Sequence, residues 1–476
     1  LYRIELNYVK NIHEFEELIK VFLRPSDYVL INNGTIIDNL KTLANLDITD
    51  NDKSYINITV PDDLALNFNK PEGRNVIKQF IFDSLSLHTG LKPDWGIHTG
   101  VRPVKLASEL SVREGSEEKA KQILLEYYRM SQEKVDLIMH INNIQKCILG
   151  RSNTNAVGLY IGIPFCPTRC VYCSFTSNQA SENQINSYLE ALHYEISFVG
   201  KRMQSRGLYP ESVYIGGGTP TTLSKEQLDK LLMHVKENID LSKTKEITVE
   251  AGRPDTITRE KLEIIKKHEI SRISINPQSM KAKTLELIGR SHCPEDIIEA
   301  FKVAREVGIK IINADIIAGL PEEDVDDFKN TLRSVLELKP ENITVHTLAL
   351  KRASRLKLID SDYNYKQSQI VREMLEQSRM MLSESGFEPY YLYRQKQMTG
   401  NFENIGYAKP HAENIYNIRI MEEMQTIIAL GAGGITKVYY QEENRLERVP
   451  NVSNYEIYVE RIDEMLERKE KGLFNT

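Results

Sequence analysis

The sequence predicts an α/β protein: a partial, TIM-like parallel β/α barrel with an N-terminal α+β domain before it and a C-terminal cap after it. Three observations lead there. The chain has 476 residues, more than one hydrophobic core usually organises, so two or three domains are expected. From Leu159 onward, short β-branched runs alternate with longer amphipathic segments, the texture of repeated βα units. Three of the five cysteines fall within residues 166–173, directly after the first of those runs, and loops that follow strands are where barrels of this kind carry their chemistry.

Residues 1–150 read as the N-terminal domain: strand-like runs YRIELNYV, DYVLIN and YINITV, then helical NVIKQFIFDSLSL, EEKAKQILLEYY and EKVDLIMHINNIQKCIL. The polar segment GRSNTNAVG links it to a core spanning 156–361. There LYIGI, SVYIGG, EITVEA, RISIN, IINADIIAG and ITVHTLAL alternate with helical stretches such as QINSYLEALHYEISFVGKRM and KEQLDKLLMHVKENI. Six strands in this order imply a parallel sheet covered by helices. Residues 362–476 form the cap region: a helix in YKQSQIVREMLEQSRMMLSESG, the tyrosine-rich EPYYLYRQKQ, and a last helix in YEIYVERIDEMLERKEKG.

Composition narrows the function. The net charge of -6 with 41% apolar residues gives no basic field for direct nucleic-acid binding. No apolar run approaches the roughly 20 residues of a membrane span, and the start LYRIELNYVKN has neither the basic flank nor the apolar stretch of a signal peptide. A cytoplasmic protein with no membrane partner is expected. Five cysteines in so long a chain are no disulfide framework, so a tight cluster of them points to metal or redox work.

The spacing is C-x3-C-x2-C at Cys166, Cys170 and Cys173. A structural zinc site wants a fourth ligand. Cys147 lies upstream, Cys293 far downstream, and the nearest later histidine, His193, falls in a helical stretch. Three thiolates on a 4Fe-4S cluster instead leave one iron open, able to take N and O atoms of a second molecule.

The cysteine spacing, Tyr172 before the third Cys and the βα repeat together resemble the radical S-adenosylmethionine (SAM) superfamily. The resemblance implies a 4Fe-4S cluster on Cys166, Cys170 and Cys173, with SAM chelated by the open iron and cleaved by one electron to a 5′-deoxyadenosyl radical. It also implies a cofactor-binding set that includes Tyr160 and Tyr172. YIGGGTP would bring Gly216, Gly217, Gly218 and Thr219 to the SAM ammonium, since glycines let backbone approach a ligand closely. In EITVEAGRPD, Glu250 would hold the ribose hydroxyls and Arg253 the SAM carboxylate or a substrate acid. Gln278, Arg290 and Asp315 would face the same mouth.

Within the superfamily, SVYIGGGTPT, RISINPQS, LELIGRSH and DIIAGLPEE resemble the oxygen-independent coproporphyrinogen dehydrogenase branch. WGIHTGVRPVKL, YYLYRQKQ, NIGYAKP and LGAGGITK are similar to its HemZ subgroup. The branch also includes haem chaperones and a queuine lyase. Two departures bear on the substrate: Phe175 stands where authentic coproporphyrinogen dehydrogenases carry a further Cys, and they lack a large N-terminal domain of this kind. A tetra-acid porphyrinogen would need cations, which Arg253, Lys351, Arg352, Arg355 and Arg394 could supply. Queuine, with an amine and a diol, would prefer Asp315, Glu403 and Glu413 with the aromatic faces of Tyr390, Tyr391, Tyr393 and Tyr407. The missing cysteine and the clustered tyrosines favour a radical SAM lyase acting on a queuine-type deazaguanine base. Coproporphyrinogen III dehydrogenation and haem chaperoning are the alternatives. Partners expected are a small-molecule substrate and an electron donor such as flavodoxin or ferredoxin.

Overall fold

A parallel sheet covered on both faces needs strands without polar alternation, and AVGLYIGI supplies one: Ala156–Ile163 is buried at every position but Tyr160. The computed structural model describes residues 1–6, 12–32, 35–36, 56–60, 71–150, 153–173, 177–349, 367–395 and 402–475. They fall into two units, Leu1–Asn142 and Asn143–Thr476.

In the first unit, β1 (Tyr2–Leu6) lies between two parallel partners, β2 (Tyr28–Asn32) and β4 (Ile56–Thr59), and β3 (Thr35–Ile36) adds an antiparallel edge to β2. Ile4 and Leu6 point into a core with Phe15, Leu18 and Ile19 of the helix His13–Phe22 and with Ile77, Ile81 and Leu85 of the helix Pro71–Thr89. This is the α+β domain expected from the sequence. The division falls at Asn142 and not near residue 150, because Ile144, Ile148 and Leu149 pack with Tyr390, Tyr391 and Ile418 of the second unit.

Among the described residues the second unit is built on one sheet of 11 strands. Its centre is the six-stranded parallel run in chain order: β5 (Ala156–Ile163), β6 (Tyr209–Gly217), β7 (Glu246–Gly252), β8 (Arg272–Ile275), β9 (Ile311–Ala318) and β10 (Asn342–Thr347). The helices after the first two strands start at reciprocal caps. Ser181 accepts from Gln184 N while the Gln184 side chain accepts from Ser181 N, and Ser224 and Gln227 repeat the arrangement, which fixes where each loop ends.

The described residues after 367 add strands to both edges of the sheet. β11 (Glu388–Tyr393) and β12 (Asn404–Ala408) extend the sheet antiparallel beyond β10. At the opposite edge β13 (Ile427–Leu430) pairs parallel with β5, and β14 (Ile435–Tyr440) and β15 (Arg445–Pro450) follow antiparallel. Between these edges the helix Ile415–Glu422 and its approach are gripped by residues at the N-terminal ends of the strands. Arg419 Nε donates to Glu211 Oε2 at 2.9 Å, Arg272 Nη2 to Glu413 O at 3.0 Å, and Asn342 Nδ2 to Ala412 O at 2.6 Å. That end is thereby filled, and the open end is the one where the strands finish. No described helix is long and apolar enough to cross a membrane.

Candidate active site

The cysteine loop leaves β5 at Ile163, and its neck is closed by a bridge between Phe165 and Asn178, with Cys166 N donating to Asn178 O at 3.0 Å. Inside it, Cys173 N donates to Cys170 O at 3.2 Å, and Val171 N to Ile288 O at 3.1 Å. Cys166, Cys170 and Cys173 all line one cavity of about 410 Å³ at the C-terminal ends of the strands. Cys166 Sγ lies 3.5 Å from Thr219 Oγ1, and Ser177 Oγ is 3.8 Å from Cys173 Sγ. Burial pushes the Cys166 thiol up, with the Thr219 hydrogen bond and the Arg253 charge opposing it. Cys147 and Cys293 are exposed and apart from the cavity. Phe175 lies outside the described residues.

β6 ends in the glycines because two of them stand where a side chain cannot. A Cβ on Gly216 would sit 2.5 Å from Glu250 Oε2, and one on Gly218 would sit 2.5 Å from Phe165 O. Gly217 N donates to Glu250 Oε2 at 3.0 Å, and Tyr214 Oη donates to Glu250 Oε1 at 2.5 Å. Burial pushes the Glu250 carboxyl up to about 7, although both of these donors pull it down. Tyr160 stacks on Tyr214 with ring centroids 6.3 Å apart, and Tyr416 stacks on Tyr214 at 4.7 Å.

Arg253 lines the cavity, but its guanidinium is fully engaged. Nε and Nη2 form a fork with the two Asp255 oxygens at 3.0 and 2.9 Å; Nη1 donates to Thr168 O at 3.1 Å and to Thr168 Oγ1 at 2.7 Å; Nη2 also donates to Ser291 Oγ at 2.9 Å. A guanidinium has five N–H donors, so none is left for the carboxylate that the sequence reading gave it. Arg290 is placed differently. Nη2 meets Tyr172 Oη at 3.2 Å, and its buried Nε has no partner. Asn276 Oδ1 and Gln278 Oε1, on the same wall, are likewise buried without partners. Gln278 holds a left-handed backbone at φ +66°, strain that a non-glycine residue keeps only where its surroundings enforce it.

Across the cavity, Asp315 accepts from Asn313 Nδ2 at 2.7 Å and faces His346 Nε2 at 3.6 Å. Burial opposes ionisation of Asp315, but His346 and Asn313 together hold its carboxyl below the usual range. His346 Nδ1 lies 3.3 Å from Tyr393 Oη, and Tyr393 stacks on Tyr391 at 6.2 Å. Sequence reasoning missed His346, whose one signal is a lone histidine near the end of the last parallel strand.

The remaining candidates lie elsewhere. Tyr390 packs against Leu149, Ala408 and Ile418. Tyr407 is buried with its hydroxyl toward Ser378 of the helix Ser368–Glu384. Arg394 and Glu403 are buried but do not line the cavity, and burial brings the Arg394 guanidinium down to about 10 with Glu403 opposing. Glu413 sits by the strand N-terminal ends, its carbonyl held by Arg272. Lys351, Arg352 and Arg355 lie outside the described residues.

The wall suits a cluster and a small polar cofactor. The three thiols line one cavity, as one thiolate per iron of a cluster requires. The orphaned atoms of Asn276, Gln278 and Arg290 offer two acceptors and a cationic donor to a zwitterionic molecule beside them.

A profile of the radical SAM superfamily matches residues 160–335, a span containing all three cysteines. Over 405 residues the chain is 40% identical to the oxygen-independent coproporphyrinogen-III oxidase-like protein HemZ of Bacillus subtilis, covering 84% of this chain and 81% of HemZ. The haem chaperone HemW of the same organism is 36% identical over 197 residues, 40% of this chain and 50% of HemW. The oxygen-independent coproporphyrinogen III oxidase of Escherichia coli is 29% identical over 236 residues, 49% of this chain and 50% of the oxidase. The solved structure of Escherichia coli coproporphyrinogen III oxidase, HemN, shares the fold with a TM-score of 0.53 at 23% identity, over 68% of this chain and 73% of HemN.

Proposed function

Since this chain belongs to the radical SAM superfamily, in its branch of HemZ-like relatives of coproporphyrinogen oxidase, we propose that it oxidatively decarboxylates a propionate side chain of a coproporphyrinogen-type tetrapyrrole. Held by this chain, a 4Fe-4S cluster and SAM, the cofactors of the family, would supply the radical chemistry that removes the hydrogen atom. Loss of carbon dioxide, with one further electron passing from the substrate to a one-electron acceptor of flavodoxin or ferredoxin type and, counted from the carboxylic acid, one proton released to solvent, would then leave a vinyl group.

The observation that carries this reading is the reach of the HemZ likeness, 405 residues against a superfamily match confined to 160–335. The shared sequence therefore extends well beyond the cluster-binding part. A queuine-type base, which the sequence reading favoured, draws no support from these relatives. Of its expected contacts only Asp315, Tyr391 and Tyr393 line the cavity.

In this assignment Cys166, Cys170 and Cys173 hold the cluster, and the backbone of Gly216 to Gly218 with Thr219 meets the SAM ammonium. Glu250 and Gln278 take the ribose hydroxyls. Arg290 takes the carboxylate in place of Arg253, because it alone of the two has a donor to give. Tyr391 and Tyr393 offer faces to a ring system, and Asp315 with His346 offers acceptors to its N–H groups. Lys351 and Arg352 stay candidates for the substrate carboxylates. A flavodoxin or ferredoxin supplies the electron.

Coproporphyrinogen III deuterated along its propionate chains tests the reading. Deuterium should appear in 5′-deoxyadenosine alongside a vinyl product. 5′-Deoxyadenosine free of deuterium, with intact substrate, overturns it.

A further inference from the structure

We propose that Arg253 is a positioning residue, which with Asp255, Ser291 and Thr168 clamps the cysteine loop for cluster capture and fixes a positive charge beside the cluster. The proposal rests on the cluster assignment and not on the identity of the substrate.

Thr168 stands between Cys166 and Cys170, and both its carbonyl and its hydroxyl are held by one guanidinium nitrogen of Arg253. The hydroxyl proton is spent on Gly289 O, 3.4 Å away. The loop is fastened a second time where Val171 N donates to Ile288 O at 3.1 Å. Arg253 thus ties the loop between two cysteines to the end of β7, and the 288–291 segment carries both the second fastening and Ser291.

The other side of Arg253 is itself fixed. Asp255 takes its fork, and Ser291 Oγ, which accepts from Arg253, donates to Asp255 Oδ2 at 2.9 Å. Arg253 is 3% exposed, so its charge is poorly screened. With all five donors spent on these partners, the side chain is built to hold its place and not to reach for a ligand. Groups that orient the ligands of a metal site, and fixed charges near an iron-sulfur cluster, respectively govern its affinity and its potential.

The two charged members allow a test that separates the clamp from general damage. Wild type, Arg253→Gln, Asp255→Asn and Ser291→Ala are reconstituted anaerobically. Loss of iron to a chelator is timed, the midpoint potential is read by EPR without SAM, and SAM affinity is measured. All three variants should lose the cluster faster, by about tenfold for Arg253→Gln. Arg253→Gln leaves the Asp255 anion unbalanced and should make the potential more negative. Asp255→Asn leaves the Arg253 cation and should make it more positive, and Ser291→Ala should leave it unchanged. If Arg253→Gln does not fold, the other two variants carry the test. Wild-type cluster retention in Asp255→Asn and Ser291→Ala overturns the clamp, and potentials that move the same way in both charge variants overturn its electrostatic part. Loss of SAM affinity in Arg253→Gln with unchanged retention and potential would make Arg253 a SAM ligand and overturn the proposal outright.

Discussion

Tyr214 on β6 donates a 2.5 Å hydrogen bond to Glu250 on the neighbouring β7, inside the cavity that also holds the cysteines. Burial nonetheless dominates, and the Glu250 carboxyl is pushed up to about 7. The folded chain therefore keeps a proton that the unfolded chain releases near the ordinary carboxylate pKa. The stability this group contributes is complete below that value and is lost as pH rises through about 7. Glu250→Gln in the cluster-free chain should gain on wild type as pH rises from 4.5 to 7.5, by about 3 kcal/mol at most. Urea midpoints across that range check it, and a difference that does not change with pH contradicts the placement.

The cysteines divide cleanly. Replacing Cys166, Cys170 or Cys173 by alanine should abolish the cluster after anaerobic reconstitution, whereas Cys147→Ala and Cys293→Ala should retain full iron and sulfide. Both of the latter thiols are exposed and outside the cavity. A second cluster in the spectra, or zinc at one equivalent, would go against the assignment.

Gly218→Ala tests how tightly β6 meets the cysteine loop. The new methyl would stand 2.5 Å from Phe165 O, and Phe165 cannot yield freely because its ring packs edge-on to Tyr188 and Tyr455 at 5.2 and 5.3 Å. The variant should be destabilised by about 1–3 kcal/mol and hold less cluster iron. Wild-type thermal stability and iron content would show that the loop has slack.

A buried ion pair ties the C-terminal end to the core. Lys469 Nζ lies 2.7 Å from Glu195 Oε1 with both side chains fully buried, and Glu195 also accepts from Tyr458 Oη and Gly431 N. Lys469→Met should cost about 3–5 kcal/mol by stranding a buried carboxylate, and adding Glu195→Leu should recover part of that loss. Denaturant unfolding of the single and double variants decides it; equal losses in both would show that the charge is not what matters.

Much of this site was legible in the sequence because its residues cluster in short motifs at strand ends. The cysteines, Gly216 to Gly218, Glu250, Gln278 and Asp315 all follow or close β-branched runs, so their common location needed only the βα order. What could not be read is which donors are already spent. Arg253 and Arg290 look alike in sequence, but only Arg253 has an aspartate two residues on, a threonine in the cysteine loop and a serine from a third segment closing on it. The tyrosines misled for a related reason. In EPYYLY successive side chains alternate between faces, so Tyr391 and Tyr393 reach the cavity, whereas Tyr390, packed in the same hydrophobic cluster as Tyr391, does not line it. The strands of the C-terminal region escaped notice because most of them pair antiparallel with their neighbours and do not alternate with helices, so the βα order that marked the core strands does not extend to them.

We propose that this radical SAM enzyme works on a carboxylated tetrapyrrole. The measurement that bears on it most directly is a parallel incubation of the reconstituted protein with SAM, a reductant and one of three compounds: coproporphyrinogen III, haem or queuine. 5′-Deoxyadenosine and product mass are scored in each. 5′-Deoxyadenosine should form in step with loss of carbon dioxide and two hydrogens from coproporphyrinogen III, and only uncoupled background should appear with the other two. Tight haem binding without turnover of coproporphyrinogen, or coupled cleavage of queuine, would contradict it.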